Sequence, residues 1–66
     1  MIDLEDSVLE MEEFEAVRLK DFLELEQGKC AEQMNISQPT FHRLIKEARK
    51  KIADAIVNGK AIEIRK

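Results

Sequence analysis

Side chains that can hydrogen-bond or carry positive charge are concentrated between Gln38 and Lys50. Arg43 can donate two parallel hydrogen bonds to guanine, Gln38 can pair with adenine, and Thr40 can contact a phosphate or a base edge. Lysines such as Lys46 and Lys50 can hold phosphates. These residue types indicate recognition of the DNA major groove.

Residues suited to catalysis or metal binding are almost absent. His42 is the single histidine, and Glu47, the nearest acid on its predicted helix, lies off its face. The single cysteine, Cys30, is better explained as a small packing residue than as a nucleophile. Neither a glycine-rich phosphate loop nor a metal-ligand cluster occurs in the sequence. We therefore expect no enzyme activity, no catalytic residue, no metal site and no cofactor.

The polar side chains lie on a helix that the sequence predicts from residue 38 to residue 58. Its apolar positions follow a three-four spacing, which is typical of one buried helix face: Phe41, Leu44, Ile45, Ala48, Ile52, Ala55 and Ile56. Ser37 has the chemistry of an N-cap, Pro39 fits the first turn, and Gly59 can end the helix. At about 30 Å this helix is longer than a three-helix core requires, so its second half needs another partner.

Two shorter helices are predicted before it. Helix 1 covers residues 10–24, and helix 2 covers residues 29–34 after an interruption at Gln27-Gly28. The predicted inward residues are Phe14, Ala16, Val17, Leu19, Phe22 and Leu23 in helix 1 and Cys30, Ala31 and Met34 in helix 2, with Met11 as further core filling. Asn35 tolerates the left-handed conformation that ends a helix tightly.

This order of elements satisfies the shape rules of a helix-turn-helix. Such a unit needs a small residue where its helices touch, a turn residue tolerant of positive φ and apolar residues beside the turn. Ala31, Asn35, Ile36, Phe41 and Leu44 meet these demands in order. We predict an all-α fold: one three-helix helix-turn-helix domain over residues 1–66, with a long third helix and a helix-turn-helix core at about residues 27–46. Similar spacing also occurs in helical hairpins that do not bind DNA.

The two ends of the chain carry weaker signals. Ile62 and Ile64 alternate with charged residues, which is typical of a short strand. Ile2 and Leu4 also alternate with acids, so the first residues could be extended or a disordered lead-in. A pairing of the two ends as strands, within one chain or between chains, is compatible with this pattern.

Charge is distributed unevenly along the 66 residues, although the net charge is only -3. Residues 1–34 hold eleven acids and three bases, whereas residues 35–66 hold three acids and eight bases. One surface would attract phosphates and the other would repel them, which orients a protein on DNA. The alternative is that the two halves simply attract each other.

The sequence gives no signal for secretion or membrane insertion. No apolar run exceeds three residues, whereas a membrane-spanning helix needs about 20. A lone cysteine cannot form an internal disulfide. We therefore expect a cytoplasmic protein without a membrane partner.

The predicted DNA-binding set combines the outward face of helix 3 with its cap and one residue before helix 2. It consists of Gln27, Ser37, Gln38, Thr40, His42, Arg43, Lys46, Arg49 and Lys50. The alternative is that these are ordinary solvated side chains balanced by Glu47 and Asp54. We expect a homodimer on double-stranded DNA, because two recognition helices read two half-sites. The alternative function is a protein-interaction module that docks on RNA polymerase or another regulator.

Several sequence blocks together resemble a known family. They are EFEAVRLKD from Glu13 to Asp21, AEQMNIS from Ala31 to Ser37, Thr40-Phe41, ARKKIA from Ala48 to Ala53, and Gly59-Lys60. Over roughly residues 8–64 the chain is similar to an uncharacterised family of small prokaryotic proteins predicted to bind DNA. The resemblance implies a helix-turn-helix like that of sigma factor region four and a regulatory role.

Two residues depart from that family pattern. Asn35 stands where the family usually has glycine, and Gln38 stands where it usually has arginine. The first change is conformationally tolerable. The second removes a cation, so we expect a different affinity or target preference.

Overall fold

The computed structural model describes residues 6–65. Its elements in chain order are strand β1 (Ser7–Leu9), helix α1 (Met11–Val17) continuing into a π-helical turn (Arg18–Phe22), helix α2 (Gln27–Met34), helix α3 (Gln38–Asn58) and strand β2 (Ile62–Ile64). The predicted three-helix fold with a long third helix is confirmed. The first residues, including Ile2 and Leu4, were predicted to be extended or a disordered lead-in, and they lie outside the described residues.

The core lies where the three helices meet. Its buried members are Ala16 and Leu19 from α1 and the turn that follows it, Cys30 and Ala31 from α2, and Phe41 and Ile45 from α3. Met34, Ile36 and Leu44 pack against this cluster and are partly buried. Complete burial of Cys30 confirms its predicted packing role.

The end of the first helix differs from the prediction. The Leu23 backbone N–H donates to the Arg18 carbonyl at 2.9 Å, which closes a wider, π-type turn. An additional residue in the turn changes the phase of the apolar face, so Phe22 is 79% exposed and Leu23 is also exposed. Leu25 packs against the core instead. The predicted burial of Phe22 and Leu23 is therefore wrong.

Met11 is also more exposed than predicted. It is 44% exposed and lies outside the buried core cluster. Together with Leu19 and Met34 it lines an open groove between α1 and α2, with a volume of about 250 Å³.

A parallel pair of strands joins the two ends of the described chain. Ser7 lies opposite Ile62 and Leu9 lies opposite Ile64, so the pairing is within one chain. The buried Ser7 side chain donates from Oγ to the Lys51 carbonyl at 2.8 Å, which fixes β1 against α3. Strand β1 is thus the additional partner that the second half of α3 requires, and Leu9 and Ala55 are buried there.

The last turn of α3 nevertheless leaves two apolar side chains in solvent. Ile56 is 75% exposed and Val57 is 78% exposed. The predicted inward position of Ile56 is wrong, because the helix extends past the core and β1 covers only its other side. With 21 residues, α3 dominates an elongated molecule of 45 × 20 × 19 Å.

One buried carboxylate ties α1 to α3. Glu13 accepts the Glu10 backbone N–H at 2.9 Å as part of a capping box, and the Lys51 ammonium lies 2.7 Å from the same oxygen. The Glu13 side chain is only 8% exposed. Paired and hydrogen-bonded in this way, the buried charge is tolerated.

Candidate nucleic-acid interface

Asn35 forms the turn between α2 and α3. Its φ of 57° and ψ of 44° are left-handed, as predicted. The Ile36 N–H donates to the Ala31 carbonyl at 3.0 Å, and the Asn35 N–H donates to the Glu32 carbonyl at 3.1 Å. These two bonds satisfy the last carbonyls of α2, in the manner of a Schellman motif. The turn is therefore tight and fixes where α3 begins.

Ser37 caps α3 and begins a row of hydrogen bonds along its exposed side. Its Oγ accepts from the Thr40 backbone N–H at 3.2 Å and donates to Thr40 Oγ1 at 2.8 Å. Arg43 Nη2 also donates to Thr40 Oγ1, at 3.4 Å. Ser37, Thr40 and Arg43 are thus held in one line over the first two turns of α3.

The starts of α2 and α3 approach each other closely. A Cβ atom added at Gly28 would lie 3.3 Å from Gln38 Nε2, which is tighter than ordinary contact. The Gln27 side chain donates to the Gln38 carbonyl at 3.4 Å. Gln27 and Gln38 are therefore neighbours, although eleven residues separate them in sequence.

Helix α2 begins two residues earlier than predicted, at Gln27. The sequence signal was missed because Gln27-Gly28 reads as a break in the apolar pattern. Gly28 instead lies within the first turn of α2, beside the Gln38 side chain, and a small residue at a helix crossing is the clue that could have revealed it.

The predicted DNA-binding residues lie mainly on the outer surface of the turn and α3. The exposed members are Ser37, Gln38, Thr40, His42, Arg43, Lys46, Arg49 and Lys50, whereas Gln27 is half-buried. Lys46 and Lys50 are one helical turn apart at the centre of the outward face, opposite Phe41 and Ala48. Within residues 6–65, neither Arg43 nor Lys46 forms an ion pair with an acidic side chain.

Arg49 is oriented differently from its neighbours. Its guanidinium makes two hydrogen bonds to Asp21, from Nη2 to Oδ1 at 2.5 Å and from Nε to Oδ2 at 3.2 Å. The hydrogen bond from Arg49 lowers the pKa of Asp21 below its ordinary value of 3.8. This contact joins the π-helical turn to α3, and sequence reasoning missed it because the two residues are 28 positions apart.

Asp54 is an acidic residue of α3, four positions after Lys50. Asp54 accepts hydrogen bonds from Lys60 at 2.8 Å and from Asn58 at 2.6 Å, and these bonds lower its pKa. Lys50 makes a smaller electrostatic contribution in the same direction. The Asp54 carboxylate is therefore engaged by two residues that follow it in sequence, Asn58 and Lys60.

Residues 6–65 contain neither a metal-ligand cluster nor a membrane-spanning helix. No group of three or more His, Cys, Asp or Glu side chains is arranged to hold a metal ion there. None of the helices in this part of the chain combines the length and apolarity required to cross a membrane.

Comparison with known proteins identifies a family and close relatives. The chain is 57% identical to a UPF0251 protein of Thermoanaerobacter pseudethanolicus and 59% identical to one of Caldanaerobacter subterraneus, in each case over 92% of this chain and 52% of the relative. A UPF0251 protein of Moorella thermoacetica is 56% identical over 94% of this chain and 42% of its own length. The chain thus spans about half the length of the curated relatives it matches.

No solved structure matches the chain. A family model does match, over residues 3–66, which is nearly the whole sequence. Its description is "Protein of unknown function DUF134". Because the model covers far more than half of the chain and the relatives are more than 50% identical, the chain belongs to this family.

Proposed function

We propose that this chain binds double-stranded DNA in a sequence-specific manner, with the first half of α3 in the major groove. The observation that carries this proposal is the row of exposed polar and basic side chains that a tight, capped turn presents on one face of α3. A major groove about 12 Å wide admits such a helix. The resemblance to a family of small prokaryotic proteins predicted to bind DNA through a helix-turn-helix like that of sigma factor region four supports the same assignment and a role in regulating transcription.

The residues divide into base-reading and phosphate-holding groups according to their position. Gln38 and Arg43 lie near the start of α3, the part of a recognition helix that contacts base edges. Lys46 and Lys50 lie further along the outward face, where phosphate contacts are expected. Gln27 and Ser37 stand at the N-termini of α2 and α3, where the helix dipole favours an anion.

The acidic surface of α1 complements this arrangement. Acidic residues 12 and 15 lie on α1 and line the groove between α1 and α2. They would be repelled by phosphates, so only the α3 side can approach DNA. The same assignment implies a cytoplasmic location and a homodimer, because one recognition helix offers few base contacts.

The test is selection of bound sequences from genomic DNA fragments at two salt concentrations. Arg43→Ala should cost about 1–3 kcal/mol and relax base preference, because a bidentate contact to guanine is lost. Lys50→Ala should weaken binding to all sequences alike and reduce the salt slope by about 1. A palindromic enriched motif would indicate binding to two half-sites.

Arg18→Ala is the matched control, because it removes one exposed cation from the π-helical turn rather than from α3. It should leave both base preference and the salt slope unchanged. Absence of any enriched sequence, with no binding at low salt, would contradict DNA recognition.

That negative result would favour the second candidate function, a protein-interaction module. A specific feature supports this alternative: the groove between α1 and α2 combines apolar Met11, Leu19 and Met34 with a polar lining of Glu12, Glu15, Arg18 and Gln33. Methionine-lined grooves adapt to apolar side chains, and Glu12 remains for a basic group of the partner because Arg18 pairs with Glu15. RNA polymerase or another regulator is the partner class in that case.

A further inference from the structure

Strand β2 is unusually uncovered for a strand in a parallel pair. All three of its residues are exposed, including Ile62 at 44% and Ile64 at 37%. Parallel strands are normally buried on both faces, and a two-stranded sheet is marginal in water. Strand β2 therefore has the composition of a strand that another chain segment covers.

Within residues 6–65, no further strand pairs with the edge of β2 that faces away from β1. The Ala61 carbonyl and the Arg65 N–H both bond to β1, at 2.8 Å each. Because alternate residues of a strand direct their backbone groups to opposite sides, those of Ile62 and Ile64 face away from β1. A short edge with two apolar side chains is a template for pairing.

We propose that β2 pairs antiparallel with β2 of a second copy of this chain, about a two-fold axis at Ile64. This register places Glu63 opposite Arg65 of the second copy, twice, because the interface is symmetric. Opposite charges in directly facing positions stabilise a strand pair. An axis at Glu63 would instead place two glutamates face to face, which is destabilising.

Additional apolar surface lies next to this edge in sequence. Ile56 and Val57, in the last turn of α3, are 75% and 78% exposed and precede β2 by only a few residues. A pair of three-residue strands falls far short of the roughly 800 Å² per partner in a standard interface. The second copy therefore covers this helix end as well as the strand edge.

The pairing of the two β2 strands is compatible with DNA recognition. Only this comparison with DNA rests on the proposed function. Arg43 lies fifteen residues before the end of α3 at Asn58, which is about 22 Å along a helix. Two such helix segments contribute up to about 45 Å to the separation of the recognition segments, and the offset between Asn58 and the axis at Ile64 adds to it. The 34–36 Å spacing of adjacent half-sites falls within this reach.

The experiment is sedimentation equilibrium of the protein without DNA, which makes it independent of any DNA-binding result. The wild type should be a dimer, and Glu63→Arg should raise its dissociation constant by about tenfold, because two attractive pairs become repulsive. Arg65→Glu should weaken the dimer similarly, although it also removes a 3.1 Å contact with Glu10 of the same chain. Glu32→Arg, on the exposed face of α2, is the matched control and should have no effect.

Two rescue experiments distinguish loss of the charge pairs from any other cause of weaker dimerisation in a single variant. The double variant Glu63→Arg/Arg65→Glu should dimerise, and an equimolar mixture of the two single variants should form a mixed dimer, because opposite charges face each other again in both cases. A monomeric wild type at about 100 μM, a concentration at which an interface of about -5.5 kcal/mol would be half-associated, would overturn the proposal. So would a dimer indifferent to Glu63→Arg, or a failure of both rescues.

Discussion

Ser37 is the residue on which the local geometry of the turn depends most directly. It stands between the left-handed Asn35 and the first turn of α3, with extended backbone angles of φ -73° and ψ 158°. Its hydroxyl accepts a hydrogen bond from the Thr40 N–H and donates one to Thr40 Oγ1, which in turn accepts a hydrogen bond from Arg43. One side chain thus connects helix initiation with the position of the proposed base-reading arginine.

Replacing Ser37 by alanine should destabilise the domain by about 1 kcal/mol, because the Thr40 N–H loses its cap. The expected observation is a lower urea midpoint with an unchanged slope. Ser37→Asp is the control, since its carboxylate accepts the same N–H and complements the helix dipole. Equal midpoints for Ser37→Ala and the wild type would show that the cap contributes nothing.

Residues governed by local rules were predictable from sequence, and residues governed by distant partners were not. The cap at Ser37, the left-handed Asn35 and the left-handed Gly59 with φ of 63° follow from the conformational preferences of each residue type. The contacts of Glu13 with Lys51 and of Arg49 with Asp21 depend on how the helices pack. The positions of these residues along the sequence do not indicate how far apart their side chains lie in the folded protein.

At the scale of elements, the three helices were predictable because their apolar periodicity is strong, and so were the apolar residues beside the turn between α2 and α3. The exception is the π-helical turn, where one extra residue shifts the pattern and exposes Phe22. A wider turn has no signature in the apolar pattern, so Phe22 and Leu25 could not be assigned correctly. The nine predicted site residues do gather around α3, but the pairing of Arg49 with the first helical segment was not foreseeable.

The pair of Asp21 and Arg49 leads to a prediction about the whole helix face. Asp21→Asn should strengthen DNA binding and increase its salt slope by about 1, because Arg49 becomes available to a phosphate. Salt-dependent titration of a fixed duplex measures both quantities. The stability cost should be small, since the Arg49 side chain is 52% exposed.

A double-mutant cycle separates release of Arg49 from a general loss of negative charge. In the Arg49→Ala background, Asp21→Asn should increase affinity much less. Glu12→Gln is the matched control for charge alone, because Glu12 is exposed on α1. An equal gain from Glu12→Gln would contradict a specific role for the pair.

At the scale of the molecule, the acidic first half and the basic second half meet through particular pairs rather than through a diffuse attraction. Asp21 and Glu13 each engage one cation of α3, namely Arg49 and Lys51. Arg43 and Lys46 form no ion pair within residues 6–65. The attraction between halves therefore orients α1 on α3 and leaves the outward cations for an external anion.

This division of charge predicts an acid-sensitive component of stability. The pKa of Asp21 is lowered in the folded state by the Arg49 hydrogen bond, so its contribution is complete above the ordinary value of 3.8 and is lost as pH falls through the lowered pKa. We expect Asp21→Asn to lower the urea midpoint between pH 5 and 7, by an amount corresponding to about 0.2–1 kcal/mol for an exposed pair. The difference from the wild type should shrink as the pH falls below 3.8 and vanish below the lowered pKa, where the carboxylate is protonated in both states. A difference that persists below the lowered pKa would mean that packing or backbone effects of the substitution, and not the ion pair, join the two halves at this point.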